Sequence, residues 1–231
     1  MSDWISFYDF KHSVIYVNAR HRDVHYRTIA EDIRAYVPSP TAQVLDYGCG
    51  EAASSDLLAA AGSHLTLVEA APNVRAALAA RYAGNPKISV FTPEEAAAQP
   101  AGSFDLIVLH SVAQYLTPDE TDALLAQFRR LLKSTGTLIV SDVIPLHVPA
   151  ATDAWALLRF AAANGFLLAA VAGLVRTRLS LYWRLRMGVG LTRYTPAAMK
   201  ETLAAAGFAA ERAPDNLGHN RLRMAFIARP R

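Results

Sequence analysis

The run Val44-Leu45-Asp46-Tyr47-Gly48-Cys49-Gly50-Glu51-Ala52, followed by Leu65-Thr66-Leu67-Val68-Glu69, constrains this chain more than any other feature. An apolar strand enters a glycine turn, a helix follows, and a second apolar strand ends on a carboxylate. Glycine has no Cβ, so the backbone turns sharply there and lets a ligand approach closely. A carboxylate about twenty residues beyond such a turn is placed to accept hydrogen bonds from both hydroxyls of a ribose. The pattern implies an α/β fold that binds an adenosine-containing cofactor.

The alternation continues through the chain. It predicts strands at 43–47, 64–69, 88–91, 104–109 and 136–142, with helices at 52–61, 72–83 and 118–132. Strands and helices in this order make a parallel sheet covered on both faces. Thr117-Pro118 and Thr195-Pro196 each combine an N-cap with a first-turn proline. Gly136 reads as the turn into the fifth strand, and Gly207 as the cap closing the helix that starts after Thr195. Strands near 208–212 and 222–228 finish the chain. Ahead of the core, residues 1–40 are polar and aromatic and end at a boundary, Pro38-Ser39-Pro40. A helix from His21 to Tyr36 is predicted there, with Ile29, Ile33 and Tyr36 at helical spacing. At 231 residues and 52% hydrophobic, the chain is long enough for one core and one elaboration.

The spacing Gly48-x-Gly50-x-x-Ala53 also fits a dinucleotide fingerprint, which leaves an NAD(P)-binding oxidoreductase open. Asp46 discriminates better. A buried carboxylate needs a partner, and it repels a pyrophosphate. A cofactor with a cationic amino acid head and a sulfonium suits it.

These residues resemble motif I of the class I S-adenosylmethionine-dependent methyltransferases, a hydrophobic strand followed by Asp-x-Gly-x-Gly. Glu69 is similar to that family's ribose-binding acid. Phe104-Asp-Leu-Ile-Val-Leu-His110-Ser111-Val-Ala-Gln114-Tyr115-Leu116 resembles its fourth-strand motif. Leu131 to Val140 is similar to the entry into strand five, and Tyr194 to Phe208 to the helix before strand six. The resemblance covers residues 42–145 and 193–231. It implies a Rossmann-like three-layer sandwich whose mostly parallel seven-stranded sheet has its last strand antiparallel. It implies S-adenosyl-L-methionine as cofactor and methyl transfer to a small molecule by direct displacement; a non-catalytic cofactor-binding protein keeping this fold is the other alternative. The family's third glycine is Ala52 here. Thr92-Pro93-Glu94 stands where an acidic residue often follows strand three.

The resemblance assigns the cofactor to Asp46, Gly48, Cys49, Gly50, Glu69, Ala70, Thr92, Pro93, His110 and Ser111. Residues 1–40 then form a lid segment, with Arg20 or His21 meeting the cofactor's carboxylate and Tyr16 and His25 facing substrate. Gln114, Tyr115 and His219 are further substrate-side candidates. Methyl transfer from a sulfonium needs a base only when the nucleophile carries a proton. His21, His25, His110 and Tyr115 are the candidates, with none singled out. His21 and His25 lie at i, i+4, but no Glu-x-x pattern or cysteine pair accompanies them, so no metal is expected.

Residues 146–192 interrupt the core and read as a helical cap. Phe160 to Val175 is almost wholly apolar, too short for a membrane span of roughly 20 residues. Arg159, Arg176, Arg178, Trp183, Arg184 and Arg186 surround it. The stretch 154–186 therefore offers a pocket wall for a lipophilic substrate, a peripheral membrane contact or a dimer contact. A net charge of +3 and the absence of an aromatic stacking motif give no expectation of nucleic acid. One cysteine and no evident secretory signal point to the cytoplasm, and the arginine- and alanine-rich composition to a bacterium.

Overall fold

The computed structural model describes residues 3–11, 16–61, 64–149, 151–178 and 191–231. Seven strands form one sheet in the order β3-β2-β1-β4-β5-β7-β6. They are β1 (Gln43–Tyr47), β2 (His64–Val68), β3 (Ile88–Phe91), β4 (Phe104–His110), β5 (Leu132–Val143), β6 (Phe208–Arg212) and β7 (Met224–Pro230). Strands β1 to β5 are parallel, and β7 runs antiparallel to both β5 and β6.

The buried strands alternate between two cores. Leu45, Ile107 and Leu109 face Phe128, Leu203 and Phe226. Val44, Leu106 and Val108 face Ile29, Ile33, Leu58 and Leu78 on the other side. Helices α2 (Ala19–Arg34), α3 (Asp56–Ala60) and α4 (Pro72–Tyr82) cover that second face, while α5 (Pro93–Ala97), α6 (Pro118–Leu131) and α9 (Pro196–Ala205) lie against the first. Residues 1–40 thus divide in function: the second half of α2 is core, and only its first half reaches the strand ends.

Helix α1 (Asp3–Lys11) was not legible as a helix, because its support is tertiary. Asp9 accepts from the backbone and side-chain nitrogens of Asn73, at 2.6 and 2.8 Å. It caps α4 from outside, where Ala71 offers no side-chain cap and where a negative charge suits the helix dipole. Trp4 packs on Tyr115 with ring centroids 4.5 Å apart.

Several boundaries differ from the sequence expectation. The helix expected over 52–61 is helical only from Asp56, after turns over 51–55. Strand β5 starts directly at Leu132, so Gly136 lies within it rather than in a turn before it. The insertion is two helices, α7 (Ala151–Asn164) and α8 (Leu167–Arg178), separated at Gly165 by its φ of +75°. Among the described residues, no helix is long and apolar enough to cross a membrane. The Arg178 side chain and Trp183, Arg184 and Arg186 lie outside the described residues.

Candidate functional site

The chain runs from β1 outward to β3, then returns to place β4 on the other side of β1. The crevice at the carboxyl ends of β1 and β4 is where such sheets bind ligands. Asp46 and the glycine turn end β1, Glu69 follows β2, Thr92 follows β3, and His110 and Ser111 end β4.

The turn is anchored by Gly48 and Cys49, whose N–H groups both donate to the Val68 carbonyl, at 2.8 and 3.2 Å. Gly48 has φ +72°, and a Cβ there would meet Val112 Cγ2 at 2.5 Å. Glycine is required at that point for conformation and for space. Ala52, in place of the family's third glycine, adopts φ +41°.

Glu69 is buried and clamps the turn: Oε2 accepts from Gly50 N at 2.9 Å and Oε1 from Ala71 N at 2.8 Å. A carboxylate has about four acceptor sites, so each oxygen keeps capacity for a ligand hydroxyl. The Glu69 and Ala70 carbonyls both accept from Arg75, at 2.8 and 3.1 Å. The Asp46 side chain is buried and makes no hydrogen bond or ion pair among the described residues. Burial, then the nearby charge of Glu69, raises its pKa to about 7. A carboxylate so placed suits a cationic or hydrogen-bond-donating ligand. Burial pushes the Cys49 thiol well up, so it is no nucleophile.

Over the turn lies a tyrosine pair. Tyr16 Oη donates to Tyr26 Oη at 2.9 Å, and Tyr26 Oη accepts from Glu51 N at 2.9 Å. A narrow cleft beneath them is lined by Tyr8, Tyr16, Tyr26, Gly50, Glu51, Glu69 and Val74. Tyr26 was not among the site residues expected from sequence, though it bounds the approach to Gly50.

On the β4 side, Ser111 and Asp142 have φ of +58° and +59°. Ser111 Oγ donates to Asp142 Oδ2 at 2.6 Å. Asp142 sits where β5 slips register against β7, and its freed N–H donates to Asn216 Oδ1 at 2.8 Å. Two strained residues held by one another at the strand ends are typical of a functional site. His110 Nδ1 lies 2.9 Å from Ser141 Oγ.

His21, His25 and His219 gather close by. Their ring centroids are 5.9 to 6.4 Å apart, and Tyr16 is 5.5 and 5.6 Å from His21 and His25. The insertion supplies the walls: Phe160 stacks on His219 at 4.5 Å and Phe166 on His21 at 5.1 Å. His25 Nδ1 is buried without a hydrogen-bond partner among the described residues. Burial lowers the pKa of all four histidines, that of His21 to about 4. Among the described residues, no group of three or more His, Cys, Asp or Glu could hold a metal ion.

The remaining expected residues have other partners. Arg20 turns to the α7–α8 corner, where its Nε donates to the Asn164 carbonyl. Tyr115 Oη shares a 2.8 Å hydrogen bond with Tyr8 Oη and packs on α1. Gln114 Nε2 donates to the Ser111 carbonyl at 2.8 Å, which leaves its buried Oε1 unpaired among the described residues. Thr92 and Pro93 begin α5: Thr92 Oγ1 accepts from Glu95 N at 3.1 Å in a capping box. The Thr92 hydroxyl also serves the Glu94 carboxylate, whose pKa is lowered by its own backbone N–H and by that hydrogen bond.

Residues 45–140 match the model of a methyltransferase domain. A curated relative, the ubiquinone biosynthesis O-methyltransferase of Xanthomonas campestris pv. campestris, is 32% identical over 114 residues, or 48% of this chain and 47% of the relative. The chain thus matches about half the length of that relative. Among solved structures, the 1,6-didemethyltoxoflavin-N1-methyltransferase of Burkholderia thailandensis, bound to S-adenosylhomocysteine, is similar with a TM-score of 0.61. It is 18% identical, with 99% of this chain and 85% of that one covered. The magnesium protoporphyrin IX methyltransferase of Synechocystis PCC 6803 gives 0.60 at 18% identity, covering 93% of this chain and 88% of that one. At these identities the likeness to solved structures is one of fold. Residues 45–140 thus match a methyltransferase domain, on a fold shared with solved methyltransferases.

Proposed function

We propose that this chain transfers a methyl group from S-adenosylmethionine to a small molecule bound beneath the α7–α8 insertion. The observation that carries this reading is the pair of buried carboxylates flanking the glycine turn. Glu69 has spare acceptor capacity for ribose hydroxyls, and Asp46, unpartnered among the described residues, suits a cationic amino acid head. The donor set fits that cofactor better than a dinucleotide, whose pyrophosphate Asp46 would repel.

When bound, the cofactor supplies an electrophilic methyl carbon on a sulfonium. The chain's own residues hold, orient and exclude water. Gly48 and Gly50 let the backbone approach the ligand. Tyr8, Tyr16 and Tyr26 close the cleft as a lid, with Tyr26 Oη bound to the Glu51 N–H. His25, His219, Gln114 and the Phe160 wall bound the substrate side.

The named curated relative is an O-methyltransferase of ubiquinone biosynthesis, and the apolar walls here support a substrate with lipophilic character. Trp155, Leu168, Val171 and Val175 are exposed on α7 and α8, with Arg159 and Arg176 beside them. They support contact with a membrane surface or a second subunit. The cytoplasm is the compartment on this reading, since a lone buried Cys49 has no second cysteine to pair with. The test is transfer of labelled methyl from S-adenosylmethionine to the small-molecule fraction of a bacterial extract. Labelled product is expected, and cofactor binding without transfer would favour a non-catalytic role.

A further inference from the structure

We infer that the outer face of α7 and α8 docks on a lipid surface that carries anionic headgroups. Of the two contacts proposed above for these helices, this selects the membrane surface. It stands independently of the methyl-transfer reading.

Helix α8 is apolar on two opposite sides. Residues 167–175 are Leu-Leu-Ala-Ala-Val-Ala-Gly-Leu-Val, with no polar side chain before Arg176. The inner side is already used: Ala170 packs with Ala161 and Phe166, and Gly173 stands against Val17. Leu168, Val171 and Val175, at i, i+3 and i+7, share the outer side. They are 87%, 49% and 61% exposed. On α7, Leu157, Leu158 and Ala161 turn inward, while Trp155 is 60% exposed. A helix that faces water carries polar residues on its outer side, and one that is apolar all round is covered all round. Four large apolar side chains on two packed helices therefore mark a contact surface. They do not wall the substrate side, because Phe160 and Phe166 are the insertion residues that stack on His219 and His21.

Charge identifies the occupant. Arg159 lies one turn beyond Trp155 and Arg176 directly follows Val175, and both are exposed. Between residues 151 and 176 the single acid is Asp153. It is drawn inward by Arg223 Nη2 and Nε, at 2.7 and 3.1 Å, and by Asn220 Nδ2 at 3.0 Å. Within that range the face offers apolar surface and cations but no acid. Two copies meeting through it on a two-fold axis would bring arginines together with no acid of either face to pair them.

An anionic bilayer surface answers both features. Its headgroups receive the guanidinium groups, and the acyl boundary takes Leu168, Val171 and Val175. The arginine stems lie along apolar surface while their charged ends stay at headgroup level. The Trp155 ring is amphipathic and suits the same depth. At 12 residues, α8 lies along such a surface and does not span it.

The test uses the full chain with two vesicle preparations, phosphatidylcholine alone and an equimolar mixture with phosphatidylglycerol. The chain should float with the mixed vesicles and bind phosphatidylcholine about tenfold more weakly, and added salt should reduce the difference. Brominated phosphatidylglycerol should quench a fluorescence component that Trp155→Phe removes. Leu168→Asp with Val175→Asp should cut binding to the mixed vesicles about 100-fold. Arg159→Gln with Arg176→Gln should cut it about 30-fold and lower its salt dependence. Affinity for S-adenosylhomocysteine should stay within about threefold in each variant, since the changed side chains are exposed. Should the aspartates unfold the chain, the quenching of Trp155 decides by itself. Mixed vesicles that leave the chain in solution overturn the inference, as does quenching that Trp155→Phe leaves intact. A dimer that Leu168→Asp dissociates, with no vesicle binding, assigns the face to a second copy and overturns it too. A wild-type chain that binds these vesicles but no S-adenosylhomocysteine overturns the methyl-transfer reading and leaves this inference standing.

Discussion

Asp46 and Glu69 face one ligand region from adjacent strands, and their surroundings separate their roles. Glu69 is pinned by two backbone N–H groups, whereas Asp46 has no such support among the described residues and is raised to about 7. A cationic amino acid head binds the ionised form of Asp46. Below about pH 7 a proton must first be displaced, so affinity for S-adenosylhomocysteine should fall by up to about tenfold per pH unit. Calorimetry between pH 5.5 and 8 checks this, and Asp46→Asn should flatten the dependence. Both carboxylates were legible in the sequence because short spacings tie them to the glycine turn. Tyr26 was not: its hydroxyl reaches Gly50 only because α2 folds across the turn, and no local pattern encodes that.

At the scale of elements, the insertion seals against the segment before α2. A Cβ on Gly173 of α8 would meet Val17 Cγ1 at 2.3 Å. Alanine is the better helix former by about 1 kcal/mol, yet Gly173→Ala should lower the melting temperature. Overpacking against a short, branched side chain costs about 1–3 kcal/mol. Adding Val17→Ala should recover most of the loss, a coupling that a double-mutant cycle measures. The parallel strands were legible because strands buried on both faces are continuously apolar. Helices α1 and α5 were not. The support of α1 is Asp9 on Asn73 and Trp4 on Tyr115, far apart in sequence. The start of α5 hides in Thr92-Pro93-Glu94, a stretch that reads equally well as a ligand contact. The histidine cluster escaped as a unit because its members lie between positions 21 and 219, although each was a candidate singly.

For the whole molecule, the clustered histidines should leave a signature in stability. His21, His25, His110 and His219 all have lowered pKa values, that of His21 about 4. Between there and about 6.5 the unfolded chain binds protons that the folded chain refuses, so stability falls as pH drops through that window. Asp46 and Glu69, both raised, act in the opposite sense: the folded chain keeps protons there that the unfolded chain releases. Four histidines oppose two carboxylates, and the melting temperature should be lower at pH 5 than at pH 7.5. His25→Gln should narrow the gap.

Methyl transfer by this chain depends on the glycine turn and its carboxylates holding S-adenosylmethionine. Calorimetric titration of S-adenosylhomocysteine and of NAD into the full chain and its Glu69→Ala variant tests that most directly. Wild type should bind S-adenosylhomocysteine and not NAD, and Glu69→Ala should weaken the binding by about 1–3 kcal/mol. Binding of NAD in its place, or an affinity for S-adenosylhomocysteine that Glu69→Ala leaves unchanged, would contradict it.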